Sequence, residues 1–108
     1  MKETAGLYRP AEINLLLNHN PDVTPNVAER DWDITLSGHM HGGQINVELA
    51  NANINAVRFT TPYVYGTYRK ARTVMYVTRG IGTIGMPVRL GAPPEVALIR
   101  LRAAPVIL

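Results

Sequence analysis

His39 and His41 stand two residues apart in the stretch Ser37-Gly38-His39-Met40-His41-Gly42-Gly43-Gln44, just beyond a short apolar run. In extended backbone, side chains at i and i+2 point to the same side, about 6.6 Å apart along the chain. Two imidazoles so placed can ligate one metal ion or two neighbouring ones. Gly38, Gly42 and Gly43 carry no Cβ, so the backbone there can turn sharply and let a ligand approach. His19, in Asn18-His19-Asn20-Pro21, adds a third imidazole after another apolar run. Three histidines could hold one zinc with an open fourth position. A dinuclear site, with ions about 3.5–4 Å apart, needs more ligands, carboxylates above all. Asp22, Asp31 and Asp33 flank these stretches, but none has a spacing that marks it as a ligand. Histidines with ordinary hydrogen bonds are the competing reading at this level.

The elements that must position these side chains read as strands. Ile13–Leu17 is a short apolar run ended by Asn18 to Pro21, which suggests a buried strand and a turn. Thr24-Pro25 can cap and open a short helix through Arg30, proline suiting the first helical position. Asp33–Ser37 reads as a second strand, halted by Gly38. Ligands at strand ends beside a turn are where open α/β sheets place their sites. The chain is strand-rich after residue 44. Ile45–Leu49 alternates apolar and polar with period two. Val57–Thr61, Tyr63–Tyr68, Thr73–Thr78 and Glu95–Leu101 are further strands, rich in Val, Thr and Tyr and separated by glycine and proline. Residues 1–12 form a loose lead-in, 13–102 the domain, and 103–108 an apolar tail.

Length and composition bound the answer. A chain of 108 residues makes one domain at most. It has no cysteine, which excludes disulfides and thiolate metal sites and fits a reducing compartment. No run of about 18 apolar residues is present to span a membrane. Charge is divided unevenly. Residues 1–50 carry three basic side chains against seven acids, and residues 51–108 carry eight against Glu95 alone. Such a cationic half attracts phosphate esters, or simply keeps a strand-rich surface in solution. Aromatic and basic residues are not interleaved as in single-strand binders, so nucleic acid is not an expected partner. Trp32 and the five tyrosines read as packing, with Tyr63, Tyr65 and Tyr68 placed to line a cleft wall.

Three stretches together carry a family resemblance: Leu17 to Asp22, Leu36 to Gln44, and the glycine-rich run from Tyr76 to Glu95. They resemble the C-terminal half of calcineurin-like metallophosphoesterases, in the bacterial subgroup of YaeI-like phosphodiesterases. The resemblance covers residues 13–101. It implies an α/β fold, the C-terminal portion of a four-layer β-sandwich flanked by helices. It implies a metal-dependent phosphodiester hydrolase using two divalent ions, Mn, Fe or Zn. By the same resemblance His19 and His39 bind the second metal and His41 the first. Met40 stands where threonine is common and Asn18 where serine or alanine is common.

The family also uses Asp-x-His, Gly-Asp-x-x-Asp and Gly-Asn-His-Asp/Glu segments, and none occurs here. These would supply the other first-metal ligands, the bridging aspartate and the histidine that assists the leaving group. No catalytic residue is therefore assigned within this chain, and metal binding is expected to be weak or partial. Arg79, Arg89 and Gln44 are candidates for substrate contact, the two arginines through bidentate guanidinium contacts with phosphate. Bracing of the loop, or pairing with Glu95, is the structural alternative for the arginines. The expected partners are a phosphoester and either an N-terminal half that completes the site or a second copy of the chain. The expected setting is cytoplasmic, membrane-peripheral in the full-length relatives. The alternative function is a non-catalytic oligomeric domain with a residual metal site.

Overall fold

The structure is a computed structural model describing Leu7, Arg9 and residues 12–23, 32–49 and 52–102. Six strands order the described residues: β1 (Leu15–Leu17), β2 (Ile34–Ser37), β3 (Val47–Leu49), β4 (Ala52–Ile54), β5 (Gly66–Lys70) and β6 (Thr73–Val77). Four of them form a mixed sheet in the order β1-β2-β6-β5, and β3 pairs with β4 as a separate antiparallel ribbon. β1, β2 and β6 run parallel, with Leu17 opposite Leu36 and Leu36 opposite Tyr76. β5 returns antiparallel beside β6, from Gly66 opposite Val77 to Lys70 opposite Thr73. A mixed sheet with parallel neighbours is consistent with an α/β fold. The helix expected over 24–30, the lead-in 1–12 except Leu7, Arg9 and Glu12, the tail 103–108 and Asp31 lie outside the described residues.

Period-two alternation divides the sheet into two faces. Thr35, Ser37, Thr73, Met75 and Val77 are buried on one face. Ile34, Leu36, Val74 and Tyr76 are only half-buried on the other. Leu98, Ile99 and Leu101 line a cavity of about 350 Å³ against that second face. At its β1 edge Leu15 is 42% and Leu17 73% exposed. Among the described residues five apolar side chains form the core, Trp32, Val64, Met75, Val77 and Ala92, while seventeen large ones are exposed. Among the described residues the interior is thus small, and one sheet face is only partly covered, its β1 edge apolar and exposed.

Two expected strands are not strands. Residues 56–59 form a 3₁₀ turn because Asn55 precedes them and its side-chain oxygen accepts from the Arg58 N–H at 2.9 Å. The Thr60 hydroxyl then donates to the Val57 carbonyl at 2.8 Å. Such local side-chain bonds compete with ladder pairing. Glu95–Leu101 has the alternation of a strand but pairs with no ladder. Pro93 and Pro94 lack N–H donors, and the Glu95 N–H is taken by the Gly80 carbonyl at 2.9 Å, while the Glu95 carboxylate accepts from the Tyr76 hydroxyl and the Arg79 Nε. The strand expected over 63–68 is displaced to Gly66–Lys70, since the Tyr63 N–H is taken by the Thr61 hydroxyl at 3.0 Å.

The buried face carries a polar misfit. The Thr35 side-chain oxygen is buried and has no hydrogen-bond partner. Valine has nearly the same shape without the hydroxyl, and an unpaired buried hydroxyl costs about 1 kcal/mol or more. Thr35→Val is therefore expected to raise the melting temperature by about 4–8 °C. A lower melting temperature would show that the hydroxyl is satisfied after all.

Candidate metal centre

Three parallel strands end on the same side of the sheet, and each delivers part of the site. β1 runs into Asn18 and His19, β2 into Gly38 and His39, and β6 into Thr78, Arg79 and Gly80. The strands stay paired beyond their ends. The Asn18 N–H donates to the Leu36 carbonyl at 2.9 Å, Gly38 to His19 at 3.2 Å and Thr78 to Ser37 at 2.9 Å. Short apolar runs thereby fix where the histidines emerge.

His19 and His39 meet there, ring centroids 4.6 Å apart and tilted by 52°. Both are exposed. His41 does not join them on one extended face. His39 has φ 70° and His41 φ 50°, left-handed on either side of a right-handed Met40 (φ −79°, ψ −6°), so the chain turns there and the i, i+2 geometry of a strand is not realised. Each left-handed residue other than glycine costs on the order of 1–3 kcal/mol and persists only where neighbours over-determine it. Here the His41 side chain turns instead toward the glycine-rich loop, its Nδ1 lying 3.0 Å from the Gly82 carbonyl oxygen.

Asn46, which carries no motif signal in the sequence, does much of the holding. Asn46 is 4% exposed. Its amide donates to the Gly42 carbonyl at 2.9 Å and the Gly91 carbonyl at 3.0 Å, tying the histidine loop to the end of the glycine-rich loop. The residue's only sequence signal is a polar side chain between Ile45 and Val47. Gly42 and Gly43 are required as well as permitted. A Cβ on Gly42 would stand 2.5 Å from the Arg79 side chain, and one on Gly43 2.7 Å from the Asn46 side-chain oxygen.

The three candidates for substrate contact are all engaged with protein. The Gln44 amide donates to the carbonyls of Ile84 (2.9 Å) and Met86 (3.1 Å) and accepts from the Ile84 N–H at 2.7 Å. Arg79 pairs with Glu95 at 2.8 Å, and its guanidinium lies over the Tyr65 ring, 4.9 Å from the centroid. Arg89 donates to four backbone carbonyls, those of Gly82, His41, Arg79 and Ala92. Tyr63 packs edge-on against Tyr68, centroids 5.1 Å apart.

A cleft of about 480 Å³ opens beside His19, bounded by Asn18, Ser37, Gly38 and Thr78 on its polar side and by Leu17, Leu36, Tyr76, Ala97 and Ile99 on its apolar side. Among the described residues no group of three or more histidine and carboxylate side chains is close enough to hold an ion. Imidazole nitrogen suits several divalent transition ions. The described residues bring two imidazoles together, His19 and His39, while His41 faces the Gly82 carbonyl. No helix among the described residues is long and apolar enough to cross a membrane.

No family model matches the chain, and no solved structure matches it. Curated proteins do. The chain is 37% identical over 103 residues to phosphodiesterase YaeI of Escherichia coli, covering 90% of this chain and 37% of that protein. It is 33% identical over 91 residues to the uncharacterized metallophosphoesterase YkuE of Bacillus subtilis, covering 84% of this chain and 32% of that one. It is 30% identical over 100 residues to the UDP-2,3-diacylglucosamine pyrophosphatase LpxG of Chlamydia trachomatis, covering 86% and 30%. The chain thus spans about a third of the length of the curated relatives it matches. Along most of the chain that holds His19, His39 and His41, the protein is thus similar to the C-terminal part of metallophosphoesterases and of a phosphodiesterase.

Proposed function

We propose that this chain supplies the imidazole share of a dinuclear centre that hydrolyses phosphodiesters. His19 and His39 bind one divalent ion and His41 the other, the ions being Mn, Fe or Zn. The remaining ligands come from an N-terminal segment bearing the carboxylates, with which this sheet completes a four-layer sandwich. The observation that carries the reading is the strained His39–His41 loop, which stands His39 against His19 at the ends of adjacent parallel strands. Strain of this kind gathers at ligand-binding positions. When bound, such ions lower the pKa of water and neutralise charge on the phosphoryl oxygens.

The chain's own side chains bind and orient. His19 and His39 present exposed rings at the cleft end of the sheet, and His41 is held apart by Gly82. The apolar wall of Leu17, Leu36 and Ile99 suits the organic part of an ester better than bare phosphate. Arg79, anchored through Nε to Glu95, keeps its terminal nitrogens for a phosphoryl oxygen. Gln44 and Arg89, as candidates for substrate contact, act through the loops they hold. The Chlamydia relative is named for a UDP-2,3-diacylglucosamine pyrophosphatase activity, and a pyrophosphate of that kind is one substrate open to this chemistry. The absence of cysteine supports a cytoplasmic setting.

The test is cleavage of an aryl phosphodiester by the chain, with and without a polypeptide carrying Asp-x-His, Gly-Asp-x-x-Asp and Gly-Asn-His segments. Mn²⁺, Zn²⁺ and Fe²⁺ are supplied in turn. The chain alone is expected to be inactive and the pair active with at least one metal. A pair silent with all three supports the second reading, a non-catalytic oligomeric domain. That reading has its own observation in the exposed apolar edge at Leu15 and Leu17.

A further inference from the structure

The glycine-rich loop from Gly80 to Gly91 contains no regular strand or helix, and Gly80, Gly85 and Gly91 all have positive φ. Nothing in its own sequence fixes where its carbonyls point. Yet one of those carbonyls, Gly82, faces Nδ1 of His41 at 3.0 Å. A carbonyl oxygen can only accept, so a hydrogen bond here requires the proton on Nδ1, which in the neutral ring leaves the lone pair on Nε2. The group that pins this carbonyl is Arg89. Its Nη1 donates to the Gly82 oxygen at 2.5 Å, and its Nη2 donates at 2.9 Å both to the His41 carbonyl and to the Arg79 carbonyl. Nε closes the set on Ala92 at 2.5 Å. One planar guanidinium therefore grips both the backbone of His41 and the acceptor of its ring.

We propose that Arg89 is a positioning residue that fixes the tautomer and direction of the His41 ring by holding the Gly82 carbonyl against Nδ1. The consequence for metal binding rests on the reading of His41 as a ligand, whereas the tautomer itself does not. Histidine ligands commonly have the second nitrogen bonded to a carbonyl, and loss of such a partner typically costs about 10–100-fold in metal affinity. A fork of five N–H donors can hold carbonyls at four chain positions, and the three donors of a lysine ammonium on a flexible stem cannot.

The test is the tautomer of each histidine in the full chain without metal, read from long-range ¹⁵N–¹H correlations at alkaline pH. Nδ1–H is expected to dominate at His41 in the wild type. Arg89→Lys and Arg89→Ala are expected to shift the His41 tautomer ratio about three- to tenfold, the worth of one hydrogen bond. The ratios at His19 and His39 should not move, whereas general loosening would move all three. Co²⁺ affinity should fall with the His41 ratio. Nε2–H dominance at wild-type His41, or an unchanged ratio in a folded Arg89→Lys chain, overturns the proposal. Should both variants fail to fold, the wild type decides. Nδ1–H at His41 with slowly rotating Arg89 Nη protons upholds the role, and a freely rotating guanidinium removes it. If the tautomer result holds and the complemented pair cleaves nothing, the hydrolase reading fails and this one stands.

Discussion

Alanine at Gly91 is expected to destabilise the chain by about 2–5 kcal/mol, enough to unfold a marginal domain. Gly91 has φ +62°, where an L side chain is strained, and a Cβ there would stand 2.5 Å from the Asn46 carbonyl oxygen and 3.1 Å from the Asn46 Cβ. The obstacle is backbone, which cannot rotate away as a side-chain end can. Asn46 is also pinned in place, its N–H donating to Leu90 at 2.7 Å and its amide to Gly91 and Gly42. Relief would break the joint between the histidine loop and the glycine-rich loop. Gly80 and Gly85 supply the control, with φ of +62° and +70° and nothing within 4 Å of a built Cβ. Alanine at either should cost only the left-handed strain, about 1–2 kcal/mol. Urea unfolding of the three variants separates the terms. A Gly91→Ala loss no larger than that of Gly80→Ala would mean that the Asn46 contact yields easily.

The joint at Gly91 also shows where sequence reading stops. Strands β1, β2 and β6 were legible because Leu15–Leu17, Ile34–Ser37 and Thr73–Val77 are short apolar or β-branched runs bounded by turn residues. Their parallel order is seen only in the structure, where it brings His19 and His39 together. The left-handed φ of His39 and His41 was not legible. Residue type announces left-handed backbone for glycine but not for histidine, and the flanking glycines indicate only that a sharp turn is possible. The partnerships of Gln44 with residues 84–86 and of Arg89 with His41 join positions about forty or more apart. Spacing cannot report such bonds, so both side chains read as candidates for a ligand. Residues 56–59 were a different failure, because Asn55 is a local capping signal that competed with the β propensity of Val57 and Phe59 and prevailed. For Glu95–Leu101 the pattern was right and the partner was missing. A strand exists only against a neighbour, and among the described residues this segment lies over a sheet face.

The largest functional effect is expected from His39. If His19 and His39 share one ion, as rings 4.6 Å apart suggest, either alanine substitution removes a ligand from that ion. Each should weaken Zn²⁺ binding by well over the roughly 10–100-fold that outer partners of a ligand command. The sharper expectation concerns the pair. Once one of the two imidazoles is gone, removing the other should cost little more, so the double variant falls far short of the sum of the singles. His41 turns toward Gly82 and away from that pair. Combined with His39→Ala, its substitution should instead add nearly in full, as independent sites do. A chromophoric chelator competing for Zn²⁺ reads all six affinities on the same folded chains, with circular dichroism confirming the fold. Additivity between His19 and His39 would show that they serve different ions, and the assignment of the two to a single metal would have to be abandoned. Strong coupling between His39 and His41 would place both on one ion, and the left-handed backbone of the two histidines would then be relaxed by the metal itself.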